Sequence, residues 1–332
     1  MKIFVYEHVT GGGMASRELS PTLAREADLI ARSLVADLLA VPGVTVVASR
    51  DPRLPAFPGA ESILPRTGES PAALFQRGLE MADAVWPTAP ETDGLLEHLA
   101  RETLARQRIL LGCRPDAIRI AASKYATARR LRESGTPVVE TCRRGDVLPA
   151  ASGAWVVKPD DGAGCEGARR VADWQAARRQ LDEGSPVLIA QPWVEGEPRS
   201  LSLLCAEGRA RVLSVNQQRV RTEDDVPVLE SLRVNVFPAR GQEEGLLAAR
   251  IAAAVPGLWG CVGVDFVATP GGPVVLEINP RLTTSFSALR QATGLNAPAM
   301  VLGLVEPDRF GAGSAVCHNL LVEIPLERAC VH

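Results

Sequence analysis

The stretch Val274-Val-Leu-Glu277-Ile-Asn279-Pro-Arg281-Leu-Thr-Thr-Ser285 decides the fold of this chain, together with the preceding Gly263-Val-Asp265-Phe-Val267. Both stretches are apolar and a Pro-Gly-Gly turn separates them, so they are predicted to form an antiparallel hairpin. Glu277 and Asn279 stand two residues apart on one strand, so both side chains leave the same face of the sheet. Asp265 can face them from the neighbouring strand.

Three oxygen-bearing side chains on an apolar sheet face indicate a cation site. Carboxylate and amide oxygens suit Mg²⁺, or Mn²⁺ in its place. A buried pair of acids also needs a cation or a proton to compensate its charge. The alternative is an edge hairpin on which Asp265 and Glu277 point to solvent, and the scarcity of Asp, Glu and Asn in strand interiors disfavours it. We therefore predict that Asp265, Glu277 and Asn279 bind the metal.

A lysine precedes a glycine-rich loop in the middle of the chain. The apolar strand Ala154-Trp-Val-Val-Lys158 runs into loop 160–167, which contains Gly162, Gly164 and Gly167. Glycines let backbone N–H groups approach phosphate oxygens, and the lysine adds positive charge there. The spacing is not that of a Walker A loop. An ordinary hairpin turn with an exposed lysine is the alternative.

Two weaker patterns flank this loop in sequence. Lys124 follows Ser123 within a predicted helix, where a solvated helix lysine is the alternative. The strand Val187-Leu-Ile-Ala-Gln191-Pro-Trp-Val-Glu195-Gly-Glu197 ends in two acids. Its edge can offer backbone groups to an adenine and a carboxylate to ribose hydroxyls, unless it is a plain buried strand with a charged turn.

The first third of the chain alternates strand and helix patterns, which predicts parallel strands joined by crossover helices. Residues 51–68 are rich in Pro and Gly and are predicted to form a surface loop. Beyond them, one helix is predicted over residues 115–134 and a strand over 138–141. Later strands read as antiparallel. We predict an N-terminal α/β domain over residues 1–113 and an α+β domain over 114–332, with a small lobe over about 114–190 and a large lobe over about 191–332.

Length, charge and cysteine usage narrow the class of protein. At 332 residues, two or three domains are expected. The net charge of −3 gives no sign of nucleic-acid binding. The sequence contains no run of about 18 apolar residues, so no membrane span is predicted. The seven scattered cysteines and the lack of a signal-peptide pattern predict a cytoplasmic protein without structural zinc or disulfides. The four scattered histidines disfavour a histidine metal site, and no GxGxxG motif supports a dehydrogenase.

The order of these motifs resembles the ATP-grasp superfamily: a helix lysine, a strand lysine with a glycine-rich loop, a hinge strand, and an Asp followed by Glu-x-Asn-Pro-Arg. The resemblance covers roughly residues 114–304. It implies a Rossmann-like pre-ATP-grasp domain followed by a two-lobed ATP-grasp fold, which binds ATP and Mg²⁺ (or Mn²⁺).

The resemblance also implies a role for each matching residue. Asp265, Glu277 and Asn279 would hold the metal, while Arg281 and Lys158 would stabilise the transferring phosphoryl group. The nucleotide would contact Lys124, Lys158, Asp161, Gly162, Gly164, Gly167, Gln191, Trp193, Val194, Glu195 and Glu197. Two departures are Cys165, where relatives have a smaller residue, and the spacing after Gly196, which leaves the choice of ribose carboxylate open.

A closer resemblance is to the ATP-grasp ligases that join glutamate to tyramine in methanofuran biosynthesis. It rests on the N-terminal run from Phe4 to Gly13, on Leu213-Ser-Val-Asn-Gln-Gln218 and on the residues after Asn279. It implies a carboxylate–amine ligase that acts through an acyl phosphate, with Glu7 and residues 11–13 at the mouth of the substrate site. An amino-acid or peptide ligase of another pathway and a phosphotransferase without an amine acceptor are the alternatives. The expected partners are a small acid and a small amine, and the choice between a monomer and a homodimer stays open.

Overall fold

The structure is a computed structural model that describes residues 1–146, 152–162, 167–185, 187–236, 242–310 and 319–326. Within these ranges, no helix combines the length and the apolar character needed to cross a membrane.

The N-terminal part is a parallel sheet with helices, as the alternating pattern predicts. Its strands have the order β3-β2-β1-β4-β5, and all neighbours are parallel. The elements are β1 (Lys2–Glu7), a π-helical turn (Val9–Gly13), α1 (Pro21–Leu39), β2 (Thr45–Ser49), β3 (Glu61–Ile63), α2 (Pro71–Glu80), β4 (Ala84–Thr88), a 3₁₀ turn (Thr92–Gly94), α3 (Leu95–Ala105) and β5 (Ile109–Leu110). The surface loop predicted over 51–68 contains one short strand, β3, which pairs with β2.

Two positive φ angles shorten the helix that follows β4. Asp93 has φ of 56° and Gly94 has φ of 67°, which a continuous right-handed helix does not allow. The regular helix α3 therefore begins only at Leu95. Residues 91–94 are left as a tight turn at the carboxyl end of β4.

The helix predicted over 115–134 is two helices, α4 (Pro115–Ala122) and α5 (Lys124–Glu133). Ser123 separates them with an extended backbone, φ −94° and ψ 115°, and its side chain accepts a hydrogen bond from the backbone N–H of Ala126. This is the geometry of a helix N-cap, so a new helix starts at this point. Lys124 thereby becomes the first residue of α5.

A small four-stranded antiparallel sheet comes next, with the order β6-β9-β7-β8. Its elements are β6 (Cys142–Arg143), β7 (Trp155–Pro159), β8 (Arg169–Val171), α6 (Trp174–Glu183) and β9 (Leu188–Pro192). Trp155 is fully buried under α6 and packs against Trp174, with ring centroids 4.9 Å apart. The strand predicted over 138–141 is wrong: that segment makes one isolated bridge, from Val138 to Val275.

The last part is a six-stranded sheet with the order β14-β13-β10-β11-β12-β15, in which all neighbours are antiparallel. Its elements are β10 (Glu197–Ala206), β11 (Arg209–Glu223), β12 (Val226–Val234), α7 (Gln242–Ala254), β13 (Gly260–Thr269), β14 (Gly272–Asn279), α8 (Phe286–Thr293), α9 (Ala297–Val305), α10 (Pro307–Phe310) and β15 (Val322–Pro325). Ile3, Leu34 and Leu302 belong to one buried cluster, so the first sheet and the last helices share a core. The Glu91 carboxylate beyond β4 accepts a hydrogen bond from Arg281 beyond β14, so the ends of these two strands lie near each other.

Candidate active site

The predicted hairpin is formed by β13 and β14, and it brings three oxygen-bearing side chains together. Asp265 lies opposite Glu277 in the register of the two strands. The Asn279 amide Nδ2 donates to Asp265 Oδ2 at 3.0 Å, so the Asn279 Oδ1 stays available as an acceptor. Gln218 on β11 donates from Nε2 to Asp265 Oδ1 at 2.9 Å. Gln218 was not among the predicted site residues, although the sequence places it at the end of a polar-ended strand.

The two carboxyl groups of the hairpin titrate differently. Burial, and after it the nearby charge of Glu277, raise the pKa of Asp265 to about 7. Burial also acts to raise the pKa of Glu277, but the positive charges of Lys124 and Lys158 outweigh it, so that this pKa is lowered. Glu277 therefore carries the negative charge of the pair.

Both predicted lysines converge on Glu277. The Nζ atom of Lys124 lies 3.5 Å from Glu277 Oε2, and the Nζ atom of Lys158 lies 4.0 Å from the same oxygen. Lys124 also donates to the backbone carbonyl of Gly162 and, at 3.4 Å, to that of Asp160. Three elements distant in sequence thus contribute to one charged centre: the first turn of α5, the end of β7 and strand β14.

Asp160 holds α5 in this position. Its Oδ2 accepts from the Ser123 hydroxyl at 2.6 Å, and its Oδ1 accepts from the backbone N–H of Tyr125 at 2.8 Å. Its backbone carbonyl accepts from the Lys124 N–H at 3.1 Å. Asp160 was not predicted as a site residue. Its contacts depend on the break at Ser123, because a new helix start leaves N–H groups that a carboxylate can bind.

Arg281 links β14 to the N-terminal sheet. Its Nε donates to Glu91 Oε1 at 2.9 Å, and its Nη1 donates to the Leu282 carbonyl at 3.2 Å. Burial acts to lower the pKa of this guanidinium, but the carboxylates of Glu91, Glu26 and Glu277 raise it overall, so the arginine stays charged. Glu91 is itself buried and was not predicted as a site residue.

Glu7, expected at the substrate mouth, fixes the turn after β1. Its two carboxylate oxygens accept from the N–H groups of Val9 at 3.0 Å and Thr10 at 2.6 Å, and from the Thr10 hydroxyl at 2.6 Å. Burial raises the pKa of Glu7. Gly13 lies so close to His8 that an added Cβ would come within 2.2 Å of the imidazole Nδ1. The glycines at 11–13 thus permit close packing of this turn.

The glycine-rich loop after β7 is described only at its ends. The backbone N–H of Asp93 donates to Asp161 Oδ2 at 3.2 Å, and the Thr92 hydroxyl donates to the Asp161 carbonyl at 3.3 Å. Gly162 accepts from Lys124, and Gly167 has φ of 70°. Gly164 and Cys165 lie outside the described residues.

The residues predicted for adenine and ribose lie at the end of β9 and beyond it. Gln191 is buried and donates to the Thr141 hydroxyl at 2.9 Å. Trp193 and Val194 are half-buried, and the Arg170 guanidinium lies 5.1 Å from the centre of the Trp193 ring. Glu195 is exposed, whereas Glu197 accepts hydrogen bonds from Arg199 and Gln217.

The donor set fits a divalent cation that keeps water and phosphate ligands. Among the described residues, no group of three or more His, Cys, Asp or Glu side chains is arranged to hold a metal ion. Asp265 and Glu277 supply two carboxylates, and Asn279 adds an amide oxygen. Mg²⁺ commonly binds through one or two carboxylates and completes its shell with water and substrate phosphates. The two adjacent lysines would then face those phosphates.

Two family profiles match this chain, and together they cover most of it. The ATP-grasp domain matches residues 121–285, and the pre ATP-grasp 3 domain matches residues 44–118. The chain belongs to the ATP-grasp superfamily, which confirms the predicted fold class of an α/β N-terminal part followed by a two-lobed α+β part.

Individual relatives agree with this assignment. The tyramine–L-glutamate ligase of Methanocaldococcus jannaschii is 27% identical over 215 residues, which are 64% of this chain and 59% of that protein. The tyramine–L-glutamate ligase of Methanocaldococcus fervens is 26% identical over 221 residues, 65% of this chain and 64% of that protein. The crystal structure of a protein from Archaeoglobus fulgidus assigned to the ATP-grasp superfamily has a TM-score of 0.71 and 24% identity, covering 98% of this chain and 92% of that one. The matched region thus spans less than two thirds of both curated relatives.

Proposed function

We propose that this chain is an ATP-dependent carboxylate–amine ligase that forms an amide and releases ADP and phosphate. The observation that carries the proposal is the approach of two lysines to one carboxylate oxygen, at 3.5 Å and 4.0 Å, beside Asp265 and Asn279. Cations and metal-binding oxygens at one point are the groups that phosphoryl transfer requires, because charge spreads over the transferred group. The ligase names of the curated relatives support the choice of reaction.

Each residue has a task in this reaction. Asp265, Glu277 and Asn279 would hold Mg²⁺ or Mn²⁺, and the positive charge of the metal ion would partly neutralise the β- and γ-phosphates. Lys124 and Lys158 would neutralise phosphate oxygens, and Arg281 would stabilise the transferring phosphoryl group.

The reaction then has two transfers. A substrate carboxylate oxygen bonds to the γ-phosphorus and the bond to ADP breaks, which gives an acyl phosphate. The amine, having lost its proton, attacks the acyl carbon, and inorganic phosphate leaves. The glycine-rich loop 160–167, if closed over the site, would keep water from this intermediate.

For the substrates, we propose glutamate as the acid and tyramine or a similar arylalkylamine as the amine. The support is the identity to the two tyramine–L-glutamate ligases, over 64% and 65% of this chain. A cytoplasmic location and a homodimer stay predictions within the same proposal.

The test is ADP release from the purified chain with ATP and Mg²⁺, with the acid, the amine or both supplied. The ligase function predicts ADP and phosphate release in equal amounts only when both are present, and a new amide by mass spectrometry. Glu277→Gln should abolish the release, whereas Glu80→Gln, an exposed carboxylate at the end of α2, should not. ADP formed at the full rate with the acid alone, together with a stable phosphorylated acid, would instead identify a phosphotransferase.

A further inference from the structure

The turn between β4 and α3 joins the N-terminal sheet to the charged centre at two points. Glu91 accepts from Arg281, and Asp93 donates to Asp161 in the loop that follows Lys158. The positive φ angles of Asp93 and Gly94 set the path of this turn. Its backbone is closed by a hydrogen bond from the Gly94 N–H to the Glu91 carbonyl at 3.1 Å. A short, internally bonded turn of this kind can fix the direction of a side chain.

Several carboxylates compete for the Arg281 guanidinium. The charges of Glu91, Glu26 and Glu277 all act on it. The 2.9 Å hydrogen bond to Nε goes to Glu91, which is 6% exposed. An arginine held at Nε keeps its terminal nitrogens for other partners, and here one of them donates to the Leu282 carbonyl. Without the Glu91 carboxylate, the Nε atom of Arg281 would lose this hydrogen-bond partner, and with it the contact that fixes the direction of the guanidinium.

We infer that Glu91 is a positioning residue for Arg281, through which the N-terminal sheet sets the orientation of the arginine beside the Asp265–Glu277 centre. The inference rests on the proposed ligase function. It explains why a carboxylate from the turn after β4 is buried against this arginine. It also assigns the turn at residues 91–94 a task in the reaction.

A second pair between the same two parts of the chain provides a matched control. Asp37 on α1 is buried, and its Oδ1 accepts from Arg290 on α8 at 2.8 Å. Like Glu91–Arg281, this pair joins a carboxylate of the N-terminal part to an arginine that follows β14. Asp37→Asn therefore reports the effect of loosening the contact between these parts without touching Arg281.

The experiment measures kcat and KM for ADP release in the wild-type chain, E91Q, R281K, the E91Q/R281K double variant and D37N. We expect E91Q to lower kcat about 10- to 100-fold, the usual scale for misplacement of a catalytic group, with the KM for ATP within about twofold. R281K should lower kcat as well, and adding E91Q to it should cause no further loss, because Glu91 acts through Arg281. D37N should keep kcat within about twofold of wild type.

Three results would overturn the inference. One is that E91Q lowers kcat by the same factor in the R281K background as in the wild-type background. Another is a loss in D37N as large as that in E91Q. The third is a lower KM for the acid in E91Q with unchanged kcat, which would make Glu91 a competitor of the substrate. If the wild-type chain releases no ADP with any acid and amine, the ligase proposal fails separately. A urea-unfolding double-mutant cycle of wild type, E91Q, R281K and E91Q/R281K then decides the pairing, and a coupling energy near zero would refute it.

Discussion

Lys124 at the start of α5 forms an ion pair with Glu277 on β14, with the ammonium nitrogen 3.5 Å from the carboxylate oxygen Oε2. Lys158 approaches the same oxygen at 4.0 Å. One carboxylate is therefore shared by two cations, while its neighbour Asp265 has a raised pKa. The positive charge beside Glu277 exceeds the negative charge of that carboxylate, which suits a site for a polyanion.

The first prediction concerns this excess of positive charge. We expect Lys158→Met to raise the Kd for MgATP by about 10- to 100-fold, because a charge-assisted hydrogen bond contributes about 1.5–3 kcal/mol. Titration calorimetry with a non-hydrolysable ATP analogue measures it. Lys2→Met is the control, since Lys2 pairs with Glu61 on the surface of the N-terminal sheet. An unchanged Kd in Lys158→Met would separate this lysine from the nucleotide.

The second prediction concerns the space beside the hairpin. A Cβ added to Gly263 would lie 2.5 Å from Thr283 Cγ2 and 3.4 Å from Asn279 Cβ. Gly263→Ala should therefore displace the Thr283 side chain and bring the new methyl group into contact with Asn279, lower the apparent affinity for Mg²⁺ in the ADP-release assay, and destabilise the fold by about 1–3 kcal/mol through overpacking.

Gly245→Ala is the matched control for that prediction. Gly245 lies in α7, and nothing stands within 4 Å of an added Cβ. Alanine there should stabilise the fold by about 0.5–1 kcal/mol because it favours the helix. If Gly263→Ala keeps the Mg²⁺ dependence and the unfolding free energy of wild type, the prediction is wrong, because Thr283 and Asn279 then accommodate the methyl group at no cost.

The sequence predicted those parts of the fold in which apolar and polar residues, or strands and helices, alternate regularly. The hairpin of Asp265 and Glu277 follows from alternation around a turn, and the parallel sheet follows from strand–helix alternation. Boundaries that depend on a single backbone angle were missed. The break at Ser123, inside the helix predicted over 115–134, is of this kind, because apolar periodicity continues across it.

Contacts between distant segments were harder to predict than the segments themselves. Glu91 looks like an ordinary acid before a helix, and only the packing of the N-terminal sheet against β14 brings it to Arg281. Asp160 belongs to the predicted glycine-rich loop, but its hydrogen bonds to the start of α5 depend on how that loop packs against the helix. No local pattern encodes such pairs, since the partners lie tens to hundreds of residues apart.

The third prediction concerns the N-cap that places Lys124. Ser123→Ala removes the acceptor for the Ala126 N–H and the donor to Asp160, and should destabilise the fold by about 1 kcal/mol. Because the first turn of α5, which carries Lys124, is then held less rigidly, kcat for ADP release should fall as well. Ser20→Ala is the matched control, since Ser20 stands at the N-cap of α1 without a side-chain cap hydrogen bond. Equal urea-unfolding midpoints for the two variants would contradict this account of the cap.

The fourth prediction concerns the pH dependence of stability. Asp51 is fully buried and accepts hydrogen bonds from Arg53 at Nε (2.8 Å), at Nη2 (2.6 Å) and at the backbone N–H (2.9 Å). These bonds lower the pKa of Asp51 in the folded state below its ordinary value. The folded state therefore binds the proton more weakly than the unfolded state, and the charged carboxylate stabilises the fold above the unfolded pKa of about 3.9.

Asp51→Asn should consequently lower the free energy of unfolding by about 1–3 kcal/mol near pH 7, the penalty for removing a charged hydrogen-bond partner. As the pH falls through the unfolded pKa and then the folded one, the wild-type chain loses this contribution and the two proteins should converge. Urea unfolding at about pH 7 and about pH 3 measures the difference. Asp116→Asn, in which the replaced carboxylate is 77% exposed, should differ little from wild type at either pH. A gap between Asp51→Asn and wild type that persists undiminished in acid would mean that packing, and not charge, makes Asp51 stabilising.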